Sequence, residues 1–203
     1  MKSLSEIETT TKRASKAAGF SWGVAEEVGK SIRLLELFGL AGIKNLNEYF
    51  KSRSSKKFEN LDLVNENNTS NKFPFCPIIV GVSFLDQIRS LKKFNKITFN
   101  EISYPLLILP FLSRSSEIIG KKIHVKFDNY EFLLNLNVKI SSNLFNKDYP
   151  TIANIVEIII LDNEDNFSDQ DWKSLYKLSE ETFVEETDSL KQGAAGAGLT
   201  DND

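Results

Sequence analysis

The chain has 203 residues, an apolar fraction of 41% and a net charge of −3, which suit one domain with a substantial core. The acidic balance disfavours nucleic acid as a partner, because phosphate binding needs clustered excess cations. The one local basic run, Lys51–Lys57 (KSRSSKK), lies in a polar stretch with no aromatic in it. A lone cysteine, Cys76, excludes an intrachain disulfide, the polar N-terminus lacks the apolar core of a secretory signal, and the longest apolar run, Tyr104–Leu112, is too short to span a bilayer.

Taken in chain order, Ser3-Leu4-Ser5-Glu6 has the pattern of a capping box. Leu4, Ile7, Thr11, Ala14 and Ala18 then follow helical spacing up to Gly19. Ser21 caps a second predicted helix whose apolar stripe is Val24, Ala25, Val28, Ile32, Leu35 and Phe38, ended by Gly39 and Gly42. Residues 51 to 72 are rich in Lys, Asn and Ser and read as an irregular connection that could hold an edge strand. Pro77 opens either a strand or a helix, with Phe84, Leu85, Ile88 and Leu91 favouring a helix by the end, and Ile97-Thr98-Phe99 alternates like a strand. The Pro105 block repeats the pattern of the Pro77 block, a proline, an apolar run and a Phe-Leu pair, which is weak ground for a duplication. Residues 121 to 161 read as a β-meander with a turn at Asp128-Asn129, and Ser168 caps a last helix carrying Trp172, Leu175, Tyr176, Ser179 and Phe183. Helices at both ends and strands between them predict an α+β fold: an N-terminal helical hairpin, a central, mostly antiparallel sheet, and a C-terminal helix with a Gly-rich tail. Residues 1–192 form one expected domain and 193–203 the acidic tail.

No catalytic or cofactor motif passes a test of spacing. Gly23 to Ser31 resembles a phosphate-binding loop but has five residues between its glycines instead of four, and no strand precedes it. Gly193, Gly196 and Gly198 have the wrong order for a dinucleotide fingerprint and no helix after them. A calcium loop beginning at Asp162 would need Gly at its sixth position and Glu at its twelfth, where Phe167 and Lys173 stand. His124 is the only histidine, so a two-histidine or Cys/His zinc centre cannot be built from this chain alone. Strand alternation turns it away from the apolar face, and no spacing supports a Cys76–His124 dyad. Glu26 and Glu27 are explained by the dipole of the second helix, while Trp22 fits either a core contact or a pocket wall.

The tail brings two carboxylates and the chain end to Leu199-Thr200-Asp201-Asn202-Asp203. By composition it reads as a disordered end, and alternatively as a hinged arm that closes on a cleft or holds a hard cation.

The opening SLSEIETTTKRASKAAGFSWGVAEEVGK and the ending ETFVEETDSLKQGAAGAGLTDND together resemble an uncharacterised bacterial family of unknown function. Its members share a helix–Gly–Ser–Trp–Gly–helix element and a Gly-Ala tail closing on Asp-Asn-Asp. The shared traits fall on Ser21, Trp22, Gly23, Glu26 and Glu27, and on Gly196, Gly198, Thr200, Asp201, Asn202 and Asp203. Where a Pro and an Arg are expected before the tail, Glu185 and Lys191 stand, and Lys would replace a bidentate fork by a point charge. The resemblance implies a tail with a role and implies no reaction.

Two functions follow as expectations. The first is a noncatalytic subunit or accessory protein of a metabolic enzyme, acting through a protein partner or as a homo-oligomer. The second is a small-molecule enzyme with Glu26, Glu27, Asp201 and Asp203 as acid/base or cation-holding groups, and Ser21, Trp22, Thr200 and Asn202 as binding groups. A divalent cation is the one cofactor the carboxylates suggest. The expected location is the cytoplasm.

Overall fold

The structure, a computed structural model, describes residues 2–135, 137, 139–143 and 148–182. The chain divides into two compact units, Met1–Asn163 and Glu164–Asp203. The tail, with Thr200, Asp201, Asn202 and Asp203, lies outside the described residues.

In the first unit the helices α1 (Leu4–Ala17) and α2 (Trp22–Leu37) form the expected hairpin. Ser3 Oγ accepts from the Glu6 N–H at 3.1 Å, and Glu6 spends its carboxylate on Lys2 at 2.7 Å. The buried residues of α1 are Thr11 and Ser15, not Ala14, and each hydroxyl donates to a carbonyl one turn back. Gly29 sits where a Cβ would lie 2.9 Å from the Glu8 carbonyl oxygen. The glycine that made residues 23–31 resemble a phosphate loop therefore serves the close crossing of α1 and α2. A third helix, α3 (Gly42–Arg53), follows directly and buries Asn45, Leu46 and Tyr49. The sequence pattern predicts no helix there.

A two-residue edge strand, β1 (Asn67–Asn68), then leads to α4 (Pro77–Leu91). Pro77 opens a helix rather than a strand, because proline at the first helical position loses no hydrogen bond and the Cys76 sulfur accepts from the Ile79 N–H at 3.5 Å. After β2 (Lys96–Ser103), a 3-10 turn (Pro105–Ile108) runs into α5 (Leu109–Ile119). Strands β3 (Ile123–Phe127), β4 (Tyr130–Asn135), β5 (Lys139–Ser142) and β6 (Ile152–Ile160) complete a six-stranded sheet of order β1-β2-β6-β3-β4-β5. Every pairing is antiparallel except β1 with β2.

One face of this sheet is apolar. Ile97, Phe99, Val125, Phe127, Phe132, Leu134, Val156 and Ile158 are all buried, and α5 packs against β3 and β4. The opposite face carries cross-strand ion pairs, Lys96 with Glu157 and Lys126 with Glu131, as expected for an antiparallel sheet open to water on one side. His124 lies on that face beside Glu131 at 3.1 Å. Cys76 is hydrogen-bonded to Tyr49 instead, so Cys76 and His124 form no dyad.

In the second unit, α6 (Asp169–Glu180) has the full reciprocal cap between Ser168 and Asp171. Trp172, Leu175 and Tyr176 are exposed, and Phe167 stacks on Trp172 with ring centroids 5.7 Å apart. Among the described residues no helix is long and apolar enough to cross a membrane.

The contact of α4 with α5 turns on Gly81. A Cβ there would meet the buried Phe111 ring at 2.4 Å. Gly81→Ala should destabilise the protein by about 1–3 kcal/mol through overpacking, although alanine is the better helix former by about 1 kcal/mol. Urea unfolding of the two proteins measures the difference, and an unchanged or higher midpoint would contradict this packing.

A cation-lined aromatic cleft

The longest buried run among the described residues leads to the candidate site. Within β2, Ile97 and Phe99 are buried, then Ile102, so the alternation skips a residue at Glu101. Glu101 has φ 46°, in the left-handed region, and Tyr104 has φ 44°. Neither residue is glycine, so both conformations are strained and must be held by their surroundings. The Tyr104 N–H donates to the Thr151 carbonyl at 2.8 Å, and its ring meets Tyr49 edge-on at 5.7 Å. These contacts aim the end of β2 into a cleft that also receives the end of α3 and the segment around Phe73.

The cleft has two adjoining compartments that share Lys56, Lys57, Phe58 and Phe73. One, of about 530 Å³, is walled by Phe58, Phe73, Pro74, Tyr104 and Ile152, with the hydroxyls of Ser52, Ser55, Ser103 and Thr151 on its lining. The other, of about 460 Å³, is lined by Tyr49, Arg53, Asn60 and Cys76 besides the shared residues. No carboxylate lines either compartment, and Lys56 and Lys57 have no ion-pair partner among the described residues.

The walls are held by specific bonds. Arg53 lies over the Phe20 ring at 4.3 Å and donates to the Tyr49 hydroxyl oxygen at 3.5 Å. That hydroxyl is hydrogen-bonded to the Cys76 sulfur at 2.8 Å. Burial pushes both the Tyr49 hydroxyl and the Cys76 thiol above their usual pKa values, so neither supplies an anionic nucleophile at neutral pH. Phe73 is positioned from below by Glu59, whose carboxylate accepts the N–H groups of Asn71, Lys72 and Phe73 at 2.9, 2.6 and 3.2 Å. Those backbone donors, Asn71 first, hold the carboxyl below its usual range. Glu59 also bridges Phe75 in parallel, and Phe75 bridges Ile102, which ties the loop to β2.

Of the residues singled out from sequence, the four that fall among the described residues, Ser21, Trp22, Glu26 and Glu27, lie elsewhere, near the start of α2. Ser21 Oγ accepts from the Val24 N–H at 3.3 Å as a helix cap. Trp22 is largely exposed, with the Lys16 ammonium 5.6 Å from its ring centroid. Glu26 and Glu27 fall in the second turn of α2, beyond the first turn where the dipole acts most. Glu26 is exposed and pairs with Lys30 at 3.1 Å and Lys12 at 3.2 Å, and its hydrogen bond to Lys30 is the main reason its pKa is lowered. Glu27 is half-buried. Burial alone would push its carboxyl up, but Arg114 and Lys30 together outweigh that and hold it below its usual range. Ser21 and Glu27 share a groove between α2, α4 and α5 with Asp86, Arg89 and Arg114, whereas Trp22 and Glu26 do not line it. Among the described residues no three His, Cys, Asp or Glu side chains converge as a metal site.

Little of the cleft is legible in the sequence. Its one linear signal is the basic run Lys51–Lys57, which contains no aromatic, yet Phe58 follows immediately and Phe73, Tyr49 and Tyr104 arrive by folding.

Residues 2–74 match a family described as "Protein of unknown function (DUF3726)". The chain thus resembles an uncharacterised family over that stretch, which contains the opening segment that carried the resemblance. It also contains Arg53, Lys56, Lys57, Phe58 and Phe73 of the cleft. No curated protein and no solved structure matches the chain.

The Glu27–Arg114 pair makes stability depend on pH. The depressed Glu27 pKa contributes stability that is present above the unfolded value near 4.5 and is lost as pH falls through the folded value. Arg114→Met should therefore cost about 1 kcal/mol or more at pH 7 and distinctly less at a pH low enough for the folded Glu27 carboxyl to have taken up its proton. Chemical denaturation at the two pH values reads this out, and an equal loss at both would remove the ion pair as the cause.

Proposed function

We propose that this chain is a noncatalytic accessory protein that binds a small organic anion in the cleft between the end of α3, the Phe73 segment and the start of the 3-10 turn. The observation that carries the reading is the charge of the cleft: Arg53, Lys56 and Lys57 on its lining and no carboxylate to neutralise them. A cation cluster beside a partly desolvated wall attracts anions more strongly than the same charges on an open surface. The apolar compartment next to it gives the rest of a ligand a surface to bury.

The noncatalytic part of the reading draws on the chemistry of the lining. It holds no histidine and no carboxylate, and its one thiol and the Tyr49 hydroxyl are kept neutral by burial. The accessory role draws further support from α6, whose exposed Trp172, Leu175 and Tyr176 have the i, i+3, i+4 spacing of a helix that docks in a partner's groove. An acid/base enzyme built on Glu26 and Glu27 finds less support, since Lys12, Lys30 and Arg114 already pair with both carboxylates and proton transfer near neutrality calls for a raised carboxyl pKa.

Isothermal titration and thermal shift with a panel of organic phosphates and carboxylates test this reading. A ligand at about 100 times its dissociation constant adds about 2.7 kcal/mol of stability, which is readily seen as a higher melting temperature. Replacing both Lys56 and Lys57 by Ala should weaken the best ligand by at least about tenfold without lowering the melting temperature of the free protein. An unchanged affinity in that variant would place the ligand elsewhere.

A further inference from the structure

Resting on that reading, we infer that the occupant of the cleft is a nucleoside monophosphate, its base in the apolar compartment and its phosphate on the three cations. The two compartments share Lys56, Lys57, Phe58 and Phe73 and differ in the rest, Arg53 lining one and Pro74, Tyr104 and Ile152 the other. Arg53, Lys56 and Lys57 come together only in the compartment that holds Arg53, with no carboxylate on its lining. A monocarboxylate would leave most of that charge uncompensated, whereas a phosphate dianion offers three acceptor oxygens to three cationic donors. Arg53 is the pre-set member, since its guanidinium is stacked on Phe20 and bonded to Tyr49, and a planar fork held in place is well suited to phosphate oxygens.

The other compartment favours a flat ring over an acyl chain. Three of its five apolar lining residues, Phe58, Phe73 and Tyr104, are aromatic. Tyr104 and Phe58 each lean on Tyr49, at 5.7 and 5.2 Å, while Phe73 is 39% exposed and has no ring partner among the described residues. An uncovered ring at the mouth of an aromatic slot provides a stacking surface for a base. The three serine hydroxyls on the same lining already donate to the backbone carbonyls of Tyr49, Ser52 and Phe75, which leaves their oxygens as acceptors for a base edge or a sugar. A longer nucleic acid is disfavoured by the net charge of −3, because a polyanion tracks an extended basic surface.

The test is titration calorimetry of the full chain with the four ribonucleoside monophosphates, the matching nucleosides, ribose 5-phosphate and a single-stranded oligonucleotide. At least one monophosphate should bind at least tenfold more tightly than both its nucleoside and ribose 5-phosphate. In Phe73→Ala the preference over ribose 5-phosphate should shrink, and in the Lys56→Ala, Lys57→Ala double variant the preference over the nucleoside should shrink. Circular dichroism melts check that both variants fold. Ribose 5-phosphate binding as tightly as every monophosphate would overturn the inference and leave the anion reading standing. Failure of every phosphate and carboxylate to bind would overturn both. An oligonucleotide that binds more tightly than any monophosphate, with a steep loss in salt, would overturn the inference in favour of a nucleic-acid surface.

Discussion

The burial of the segment from Ile102 to Leu112 is the constraint on which the rest of the first unit depends. Every residue in that run is buried, so it needs apolar cover on all sides. The sheet covers one side, α4 another, and α3 packs on the 3-10 turn. A chain segment hydrophobic all round belongs in the middle of a molecule, and here its sequence position decides which elements become neighbours. The route into it is costly. Two non-glycine residues with positive φ, Glu101 and Tyr104, turn β2 into the 3-10 turn. That strain is balanced by the hydrogen bond from Tyr104 to Thr151 and by ring packing against Tyr49.

The cleft is a by-product of that turn. Where β2 leaves the sheet, its end, the start of β6, the end of α3 and the Phe73 segment cannot close on one another, and Phe58 and Phe73 wall the gap. Glu59 fixes one wall through three backbone donors, and Arg53 fixes another through Phe20 and Tyr49. Anchoring charged and aromatic groups in advance reduces the entropy a ligand must remove when it binds. The two lysines between those anchors are left without carboxylates, which gives the cleft its sign.

The N-terminal hairpin uses its charges differently. Glu8 pairs with Arg33, Glu26 with Lys12 and Lys30, and Glu27 with Lys30 and Arg114. The Glu8–Arg33 and Lys12–Glu26 pairs tie α1 to α2, the Glu27–Arg114 pair ties α2 to α5, and the Lys30 pairs lie within α2. A carboxylate held by two cations is a poor proton donor near neutral pH, and it is already occupied when a metal arrives. In this hairpin charge serves docking of helices.

Local signals were legible from the residues alone. The caps at Ser3, Ser21 and Ser168, the stripe on α2, the alternation of β3 and the ends of α1 and α2 at glycine-containing turns were read from the sequence, because capping and periodicity depend on neighbours a few residues apart. The antiparallel pairing of β3, β4 and β5 follows from short neighbouring strands, but the meander expected over 121–161 breaks at β6, which pairs with β3 and β2 instead of β5. The helix α3 was missed because its buried face, Asn45, Leu46 and Tyr49, is short and interrupted by polar residues. The register skip at Glu101 was also missed, since left-handed backbone at a glutamate or a tyrosine has no sequence signature. Composition excluded a disulfide framework and a two-histidine metal centre, and it located one basic run. Only the tertiary structure brought rings from residues 49, 58, 73 and 104 around that run. It also paired Glu8 with Arg33, Glu26 with Lys12 and Glu27 with Arg114, each from another helix. Sequence determines what a residue can do within reach of its own backbone, whereas a site assembled from four distant segments exists only once burial of the core has chosen their neighbours.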